Sequence, residues 1–145
     1  YQWREEVMRR FFYDTPLLPE GFSFPSSYLN MAIAAHPIDI EPWVFMYENT
    51  GASLSYYGAM LQKFHDSPIV PFAMVNDQSG LYNGGWVVLA CFDGSDKSGD
   101  PRVLIYDYSR PANTPWESVY ANFSAWLAMA GEESARYKAE RNDEG

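Results

Sequence analysis

The chain is poor in cysteine and has no long apolar run. Cys91 is the only cysteine, which excludes an internal disulfide and a zinc site built from thiolates and fits a reducing compartment. The longest apolar stretch, residues 86–92, is far shorter than the roughly 20 residues that a membrane-spanning helix requires. We therefore expect a cytoplasmic protein that does not contact membranes. The chain starts at Tyr1 without a signal-peptide pattern, and the sequence leaves open whether an upstream segment was removed.

Basic residues are also scarce, and the formal net charge is −9 at pH 7. Between residues 15 and 131 the cations are Lys63, Lys97, Arg102 and Arg110. They are too dispersed to neutralise a row of phosphates, so we expect no direct binding of nucleic acid. An acidic field attracts a basic protein partner and speeds its association at low salt. The alternative is that the acidity serves solubility alone.

Motifs that carry catalysis or bind cofactors are missing. His36 and His65 have no nucleophile or metal-ligand neighbour. The glycine-rich residues 80–85 lack the lysine and the hydroxyl of a phosphate-binding loop, and the acidic residues 93–100 do not follow the ligand order of a calcium loop. Both segments are typical of turns, with Asn83-Gly84 favouring a hairpin. We expect no enzyme activity, no cofactor and no metal, and an unreactive, packed Cys91.

Residue patterns predict an α+β domain. Apolar residues at helical spacing predict helices over residues 3–13, from Ser26 or Ser27 to Ala35, and over residues 53–64. Runs of β-branched and aromatic residues between turn residues predict strands, which cover residues 43–47, 69–75, 86–92 and 102–108. We expect an antiparallel or mixed sheet of about four to six strands, packed against N-terminal and C-terminal helices.

A last helix is predicted from Thr114-Pro115-Trp116-Glu117, which has the residue order of a helix start with a capping box. Gly131 is suited to end this helix, because glycine readily adopts the left-handed conformation found just past a helix. The charged residues 132–145 are then expected to fray or to extend as a tail. One domain over residues 1–131, followed by this tail, is the predicted organisation.

Three segments, in their order along the chain, resemble the SUKH superfamily, the bacterial relatives of a yeast regulator of cell-wall synthesis. They are Phe22-Ser23-Phe24-Pro25-Ser26-Ser27-Tyr28-Leu29, Ile69-Val70-Pro71-Phe72-Ala73 and Phe123-Ser124-Ala125-Trp126-Leu127. The resemblance spans roughly residues 15–130. It implies an α+β fold and, for most bacterial members, an immunity protein that binds and blocks a cognate toxin, often a nuclease. An Asn-Gly turn that many members place after the tyrosine-containing helix is replaced here by residues 38–42.

The main functional hypothesis is therefore a non-catalytic domain that binds a basic protein partner, such as a toxin domain. Exposed tyrosines and acidic loops are the expected contact residues, because tyrosine is enriched in binding hot spots. The predicted residues are Asp77, Tyr82, Asp93, Asp96, Asp100, Tyr106 and Asp107. Two alternatives stay open: a small-ligand or enzyme site lined by carboxylates such as Asp77, Asp93 or Asp107, and a regulatory scaffold with several weak partners. Oligomeric state stays open as well.

Overall fold

The computed structural model describes residues 18–34, 38–64, 66, 68–111 and 116–144. The predicted first helix over residues 3–13 lies outside the described residues, and so do His36 and His65 and the first half of the predicted cap, Thr114-Pro115.

A five-stranded sheet forms the centre of the described fold, and its strands are ordered as they occur along the chain. Every neighbouring pair is antiparallel. The strands are β1 Val44–Phe45, β2 Ile69–Val75, β3 Val88–Asp93, β4 Val103–Asp107 and β5 Trp116–Tyr120. The predicted α+β class is confirmed, and β2 has the predicted bounds. β1 is shorter than predicted, because residues 46–48 turn into a 3-10 helix.

Within the described residues, three α-helices accompany the sheet: α1 Ser26–Ala32, α2 Thr50–Lys63 and α3 Phe123–Glu144. α2 begins three residues earlier than predicted because Asn49 caps it, its side-chain oxygen accepting a hydrogen bond from the Ala52 N–H. None of the helices within the described ranges combines the length and the apolarity needed to cross a membrane.

Both faces of the sheet are covered by apolar side chains. On β3, Val88, Ala90 and Phe92 belong to one core cluster, which includes residues of α1 and α3. Leu89 and Cys91 alternate with them and belong to a second cluster, which includes Met60 of α2. Burial raises the pKa of the Cys91 thiol, as expected for a packed and uncharged side chain. β2 and β3 are continuously apolar because both of their faces are buried.

The predicted helix start at Trp116 and Glu117 is wrong, because these two residues begin strand β5. Trp116 pairs with Tyr106 of β4, and its ring packs 5.2 Å from those of both Tyr106 and Phe64. Strand pairing and aromatic burial with distant residues have overridden a local capping pattern.

The predicted end of the last helix at Gly131 is also wrong, because α3 continues without a break to Glu144. Its second half is not a frayed tail: Ser134 and Tyr137 are buried. Lys138 forms an ion pair with Asp39 at 2.9 Å, and Arg141 forms one with Glu41. Contacts with residues 39–43 therefore hold the helix past a glycine that would otherwise favour its end.

Candidate functional site

The predicted contact residues divide between the two ends of the sheet. Val88 lies opposite Asp107 and Phe92 lies opposite Val103, so Asp93 and Asp107 are at opposite ends. We call the connection 94–102, with Asp93, the Asp93 end; it also contains Asp96 and Asp100. We call the connection 76–87, with residues 107–110 and 116–118, the Trp86 end; it contains Asp77, Tyr82 and Asp107.

Three of the predicted aspartates have the same local role at strand ends. Each is followed two residues later by a serine whose N–H and hydroxyl both donate to one carboxylate oxygen. The pairs are Asp77 with Ser79, Asp93 with Ser95 and Asp107 with Ser109, with hydroxyl-to-carboxylate distances of 2.7, 2.6 and 2.7 Å. These Asp-x-Ser turns reverse the chain after β2, β3 and β4, so the carboxylates have a structural role.

At the Asp93 end the carboxylates are satisfied by the protein itself. Asp93 is buried, only 5% exposed, and pairs with the Arg102 guanidinium. Burial raises the pKa of Asp93, but the hydrogen bonds from Ser95 and the contact with Arg102 outweigh it, so the pKa is lowered. Asp96 accepts from the N–H of Ser98 and of Arg102, and Asp100 accepts from the Asn122 amide at 3.2 Å. The expectation that Asp93 is exposed is therefore wrong.

The Trp86 end contains an apolar pocket, which we call the Trp86 pocket. It has a volume of about 290 Å³ and is lined by Tyr56, Gly85, Trp86, Val87 and Tyr108. Trp86 is 56% exposed, although tryptophan is among the most buried residue types on average. Asn83, Gly84 and Gly85 all have positive φ, and this left-handed turn brings the chain into the pocket wall.

A lysine of the chain already occupies part of the aromatic surface beside this pocket. The Lys63 ammonium donates to the Tyr106 hydroxyl at 2.9 Å and lies 4.9 Å from the centre of the Tyr108 ring. Tyr106 itself is 4% exposed, so the expectation that it lies at the surface is wrong. Burial raises the pKa of Tyr108 to about 12, which keeps its hydroxyl protonated at neutral pH.

A group of three carboxylates, the carboxylate cluster, lies at the same end; it consists of Asp107, Glu117 and Glu133. Asp107 is 5% exposed, so the expectation that it lies at the surface is wrong. It is hydrogen-bonded to Glu117 and accepts from the Asn83 amide at 2.9 Å. Burial, followed by repulsion from Asp107, raises the pKa of Glu117, and Arg110 opposes this shift without cancelling it. Glu117 as a whole residue is exposed, so only its carboxyl end is drawn into the cluster.

Glu133 joins the cluster to the core through two aromatic donors. Its carboxylate accepts from the Trp43 indole N–H at 2.9 Å and from the Tyr82 hydroxyl at 3.2 Å. Burial, followed by the charge of Glu133, raises the pKa of Tyr82, so Tyr82 remains a neutral donor. These contacts require α3 to extend beyond Gly131.

A smaller cavity beside Tyr82 offers little room for a ligand. Its volume is about 130 Å³, against roughly 300–1,000 Å³ for typical ligand pockets. The neighbouring Asp77 carboxylate accepts from the Tyr82 N–H at 2.9 Å and from the Tyr137 hydroxyl at 3.3 Å, so the protein itself uses its lone pairs. Within the described ranges, no group of three or more histidines, cysteines and carboxylates is arranged to hold a metal ion.

Comparisons with protein families, with curated proteins and with solved structures found no match for this chain. The site is therefore defined by its own geometry. That geometry brings together Tyr82 and Asp107 from the predicted set, and it adds Trp86, Glu117 and Glu133, which the sequence analysis did not select. Trp86 was not selected because it was predicted to begin the strand over residues 86–92. Glu117 was not selected because it was assigned to the cap of the last helix.

Proposed function

We propose that this chain is a non-catalytic protein-binding domain and that the Trp86 end is its contact surface. One observation carries the proposal: Trp86 lies 56% exposed on an apolar pocket of about 290 Å³, at the same end of the sheet as the carboxylate cluster. Tryptophan is the residue most typical of binding hot spots, and such residues lie in pockets that a partner desolvates. Exposed apolar pockets rimmed by polar groups mark interaction sites.

The specific form of this proposal is an immunity protein that binds and neutralises a bacterial toxin domain in the cytoplasm. It is supported by the resemblance of three segments to the SUKH superfamily and by the net charge of −9. A toxin that cleaves nucleic acid needs a basic surface to bind phosphates, and an acidic surface is complementary to it. The domain would act by covering that surface and by neutralising its charge, without any chemical step.

Affinity capture from a lysate of the source organism tests the protein-binding role. The folded chain, its Trp86→Ala variant and an Ile33→Ala control are immobilised and compared at about 50 and 200 mM salt, a range that removes non-specific electrostatic binding. Ile33 is a suitable control because its exposed fraction, 52%, is similar to the 56% of Trp86. It follows α1 and does not line the Trp86 pocket. We expect one stoichiometric basic protein on the wild type and on Ile33→Ala, and clearly less of it on Trp86→Ala at both salt concentrations.

Neutralisation is then measured as the growth of cells that express the captured protein with or without this chain. We expect growth arrest by the partner alone, rescue by the wild type and weaker rescue by Trp86→Ala. A captured protein without toxicity would contradict the immunity role alone, and several weakly held proteins would indicate a scaffold. No retained protein at either salt concentration would contradict protein binding altogether.

A further inference from the structure

The connection between β2 and β3 contains an asparagine directly followed by a glycine, Asn83-Gly84. Asn83 is the only asparagine in the chain that a glycine follows. Asparagine is a thermally labile residue, because the main-chain nitrogen of the next residue can attack its side-chain carbonyl carbon. A glycine in the next position leaves this approach open, because it has no side chain. The pair is therefore typical of sites that lose the side-chain amide by deamidation.

The structure leaves the attacking nitrogen accessible. Gly84 is exposed, and a Cβ added to it would meet only Trp86 Cδ1, at 4.0 Å, so the space beside it is open. The N–H groups of Gly85 and Trp86 donate to main-chain carbonyls of the turn, each at 3.1 Å. The Gly84 N–H donates to none of the described residues. No hydrogen bond within the described residues therefore has to break before this nitrogen reacts.

A second pair of the same kind, Asp93-Gly94, is held in a different way. An aspartate before a glycine can rearrange through the same cyclic imide, but here the Gly94 N–H donates to the Pro68 carbonyl at 2.8 Å. The Asp93 carboxylate is also paired with the Arg102 guanidinium. Both reacting groups are therefore fixed at the Asp93 end, whereas the nitrogen is left open at the Trp86 end.

The side-chain amide of Asn83 connects its turn to β4. It donates to the Asp107 carboxylate at 2.9 Å and lies 3.5 Å from the Trp86 carbonyl oxygen. The Asn83 carbonyl in turn accepts from the Trp86 N–H at 3.1 Å. A carboxylate in place of the amide has no N–H to donate, and its charge would be repelled by Asp107. Deamidation would therefore break the link between β4 and the turn that precedes Trp86.

We propose that Asn83 is a modification site, at which deamidation releases the turn that carries Trp86. The Gly84 nitrogen loses its proton and forms a bond with Asn83 Cγ, and the side-chain nitrogen leaves as ammonia. One water molecule then opens the cyclic imide to give aspartate or isoaspartate. Both products carry a new carboxylate, and isoaspartate also adds one carbon to the main chain. The reaction needs no partner and is therefore independent of the proposed protein-binding role.

Peptide-mass spectrometry of the full chain, incubated for several days in mildly alkaline buffer, tests the reaction. We expect a gain of one mass unit in the peptide that contains Asn83. Asn76 is exposed in the same connection but precedes an aspartate, so it should remain unmodified. Asp93-Gly94 should form no isoaspartate, which isoaspartyl methylation detects. The absence of a gain at Asn83, or an equal gain at Asn76, would overturn the modification site.

Hydrogen–deuterium exchange of Asn83→Asp tests the release of the turn, with Asn76→Asp as the control that adds the same charge to the same connection. We expect at least about tenfold faster exchange in residues 84–87 of Asn83→Asp alone, the factor for a lost hydrogen bond to a charged group. Unchanged exchange in residues 94–102 would show that the variant is folded. Deamidated wild type, separated by ion exchange, gives the same comparison if the variant does not fold. Exchange in residues 84–87 that is equal to the control would overturn the release of the turn.

Discussion

The two ends of the sheet have similar acidic turns, but they differ in how their charge is balanced. At the Asp93 end, Arg102 and a set of N–H groups satisfy the carboxylates, and the pKa of Asp93 is lowered despite its burial. At the Trp86 end, Asp107 is satisfied in the same way by Ser109, but Glu117 is held beside it with a raised pKa. The Trp86 end also has an exposed tryptophan, Trp86 itself, whereas the Asp93 end contains no tryptophan.

This difference shows that acidic composition alone does not locate a binding surface. Most of the aspartates selected from the sequence form turns, in which serine hydroxyl groups donate hydrogen bonds to their carboxylates. The other carboxylates of the cluster come from different elements, β5 and α3, which only the fold brings near Asp107. The Asp93 end is therefore expected to govern stability, and the Trp86 end to govern binding.

The largest expected effect on stability is at the Asp93 end. A Cβ atom at Gly94 would lie 2.5 Å from the Pro68 carbonyl oxygen and 2.9 Å from Pro19 Cγ. Gly94→Ala should therefore lower the free energy of unfolding by about 2–3 kcal/mol, as overpacking in a close contact does. Urea denaturation measures it, with Gly58→Ala in α2 as the control because nothing lies within 4 Å there. A loss below about 0.5 kcal/mol would contradict the close approach of Pro68 and Pro19 to residue 94.

The largest expected effect on binding is at the Trp86 end. Trp86→Ala should weaken the captured partner's affinity by about 2 kcal/mol, roughly 30-fold in Kd, because it removes a hot-spot side chain. Its free energy of unfolding should also fall, by up to about 2 kcal/mol, because a tryptophan that is 56% exposed still buries almost half of a large side chain. Isothermal titration calorimetry and urea denaturation give the two values. A variant that binds normally would place the contact elsewhere.

The continuity of α3 past Gly131 is a condition for the carboxylate cluster, because Glu133 lies beyond that glycine. Nothing lies within 4 Å of an added Cβ at Gly131, and glycine is about 1 kcal/mol worse than alanine inside a helix. Gly131→Ala should therefore raise the free energy of unfolding by up to about 1 kcal/mol. Destabilisation in urea would instead indicate that the helix ends near Gly131 and that Glu133 is not held in the cluster.

The smallest expected effect is that of Glu117→Gln on stability. Because the pKa of Glu117 is raised on folding, its protonated form favours the folded state below the ordinary glutamate pKa, and this contribution is lost as pH rises through the raised pKa. Glutamine remains uncharged. The variant should equal the wild type at low pH and exceed it at pH 7 by no more than about 0.5 kcal/mol, since the group is solvent-screened.

Asp100→Asn is the charge-matched comparison for partner association, because it removes one carboxylate from the Asp93 end. Stopped-flow measurements at low salt should show slower association for Glu117→Gln than for Asp100→Asn. Equal slowing by both variants would mean that the partner responds to total charge and not to the Trp86 end.

The sequence predicted the parts of the fold that depend on local patterns. The strand over residues 69–75 has the predicted bounds, and α2 was placed within three residues. Residues 116–120 were mistaken for a helix because capping chemistry is local, whereas the packing of Trp116 against Phe64 is not. For the same reason Gly131 was mistaken for a helix end: the ion pairs of Lys138 and Arg141 connect distant segments.

The candidate site was less predictable than the fold. The Asp-x-Ser spacing was visible in the sequence and could have identified Asp77, Asp93 and Asp107 as turn residues. The exposure of Trp86 could not be read from its neighbours, because it depends on where Tyr56 and Tyr108 meet the end of the sheet. Sites made by several elements are predicted poorly from a single sequence for this physical reason.

Hydrogen–deuterium exchange of the wild-type chain, with and without the captured partner, tests the central claim most directly because both ends are observed in one experiment. Partner binding at the Trp86 end predicts slower exchange in residues 83–87 and 108–110, with unchanged exchange in residues 94–102. Slower exchange in residues 94–102, with no change around Trp86, would contradict the account.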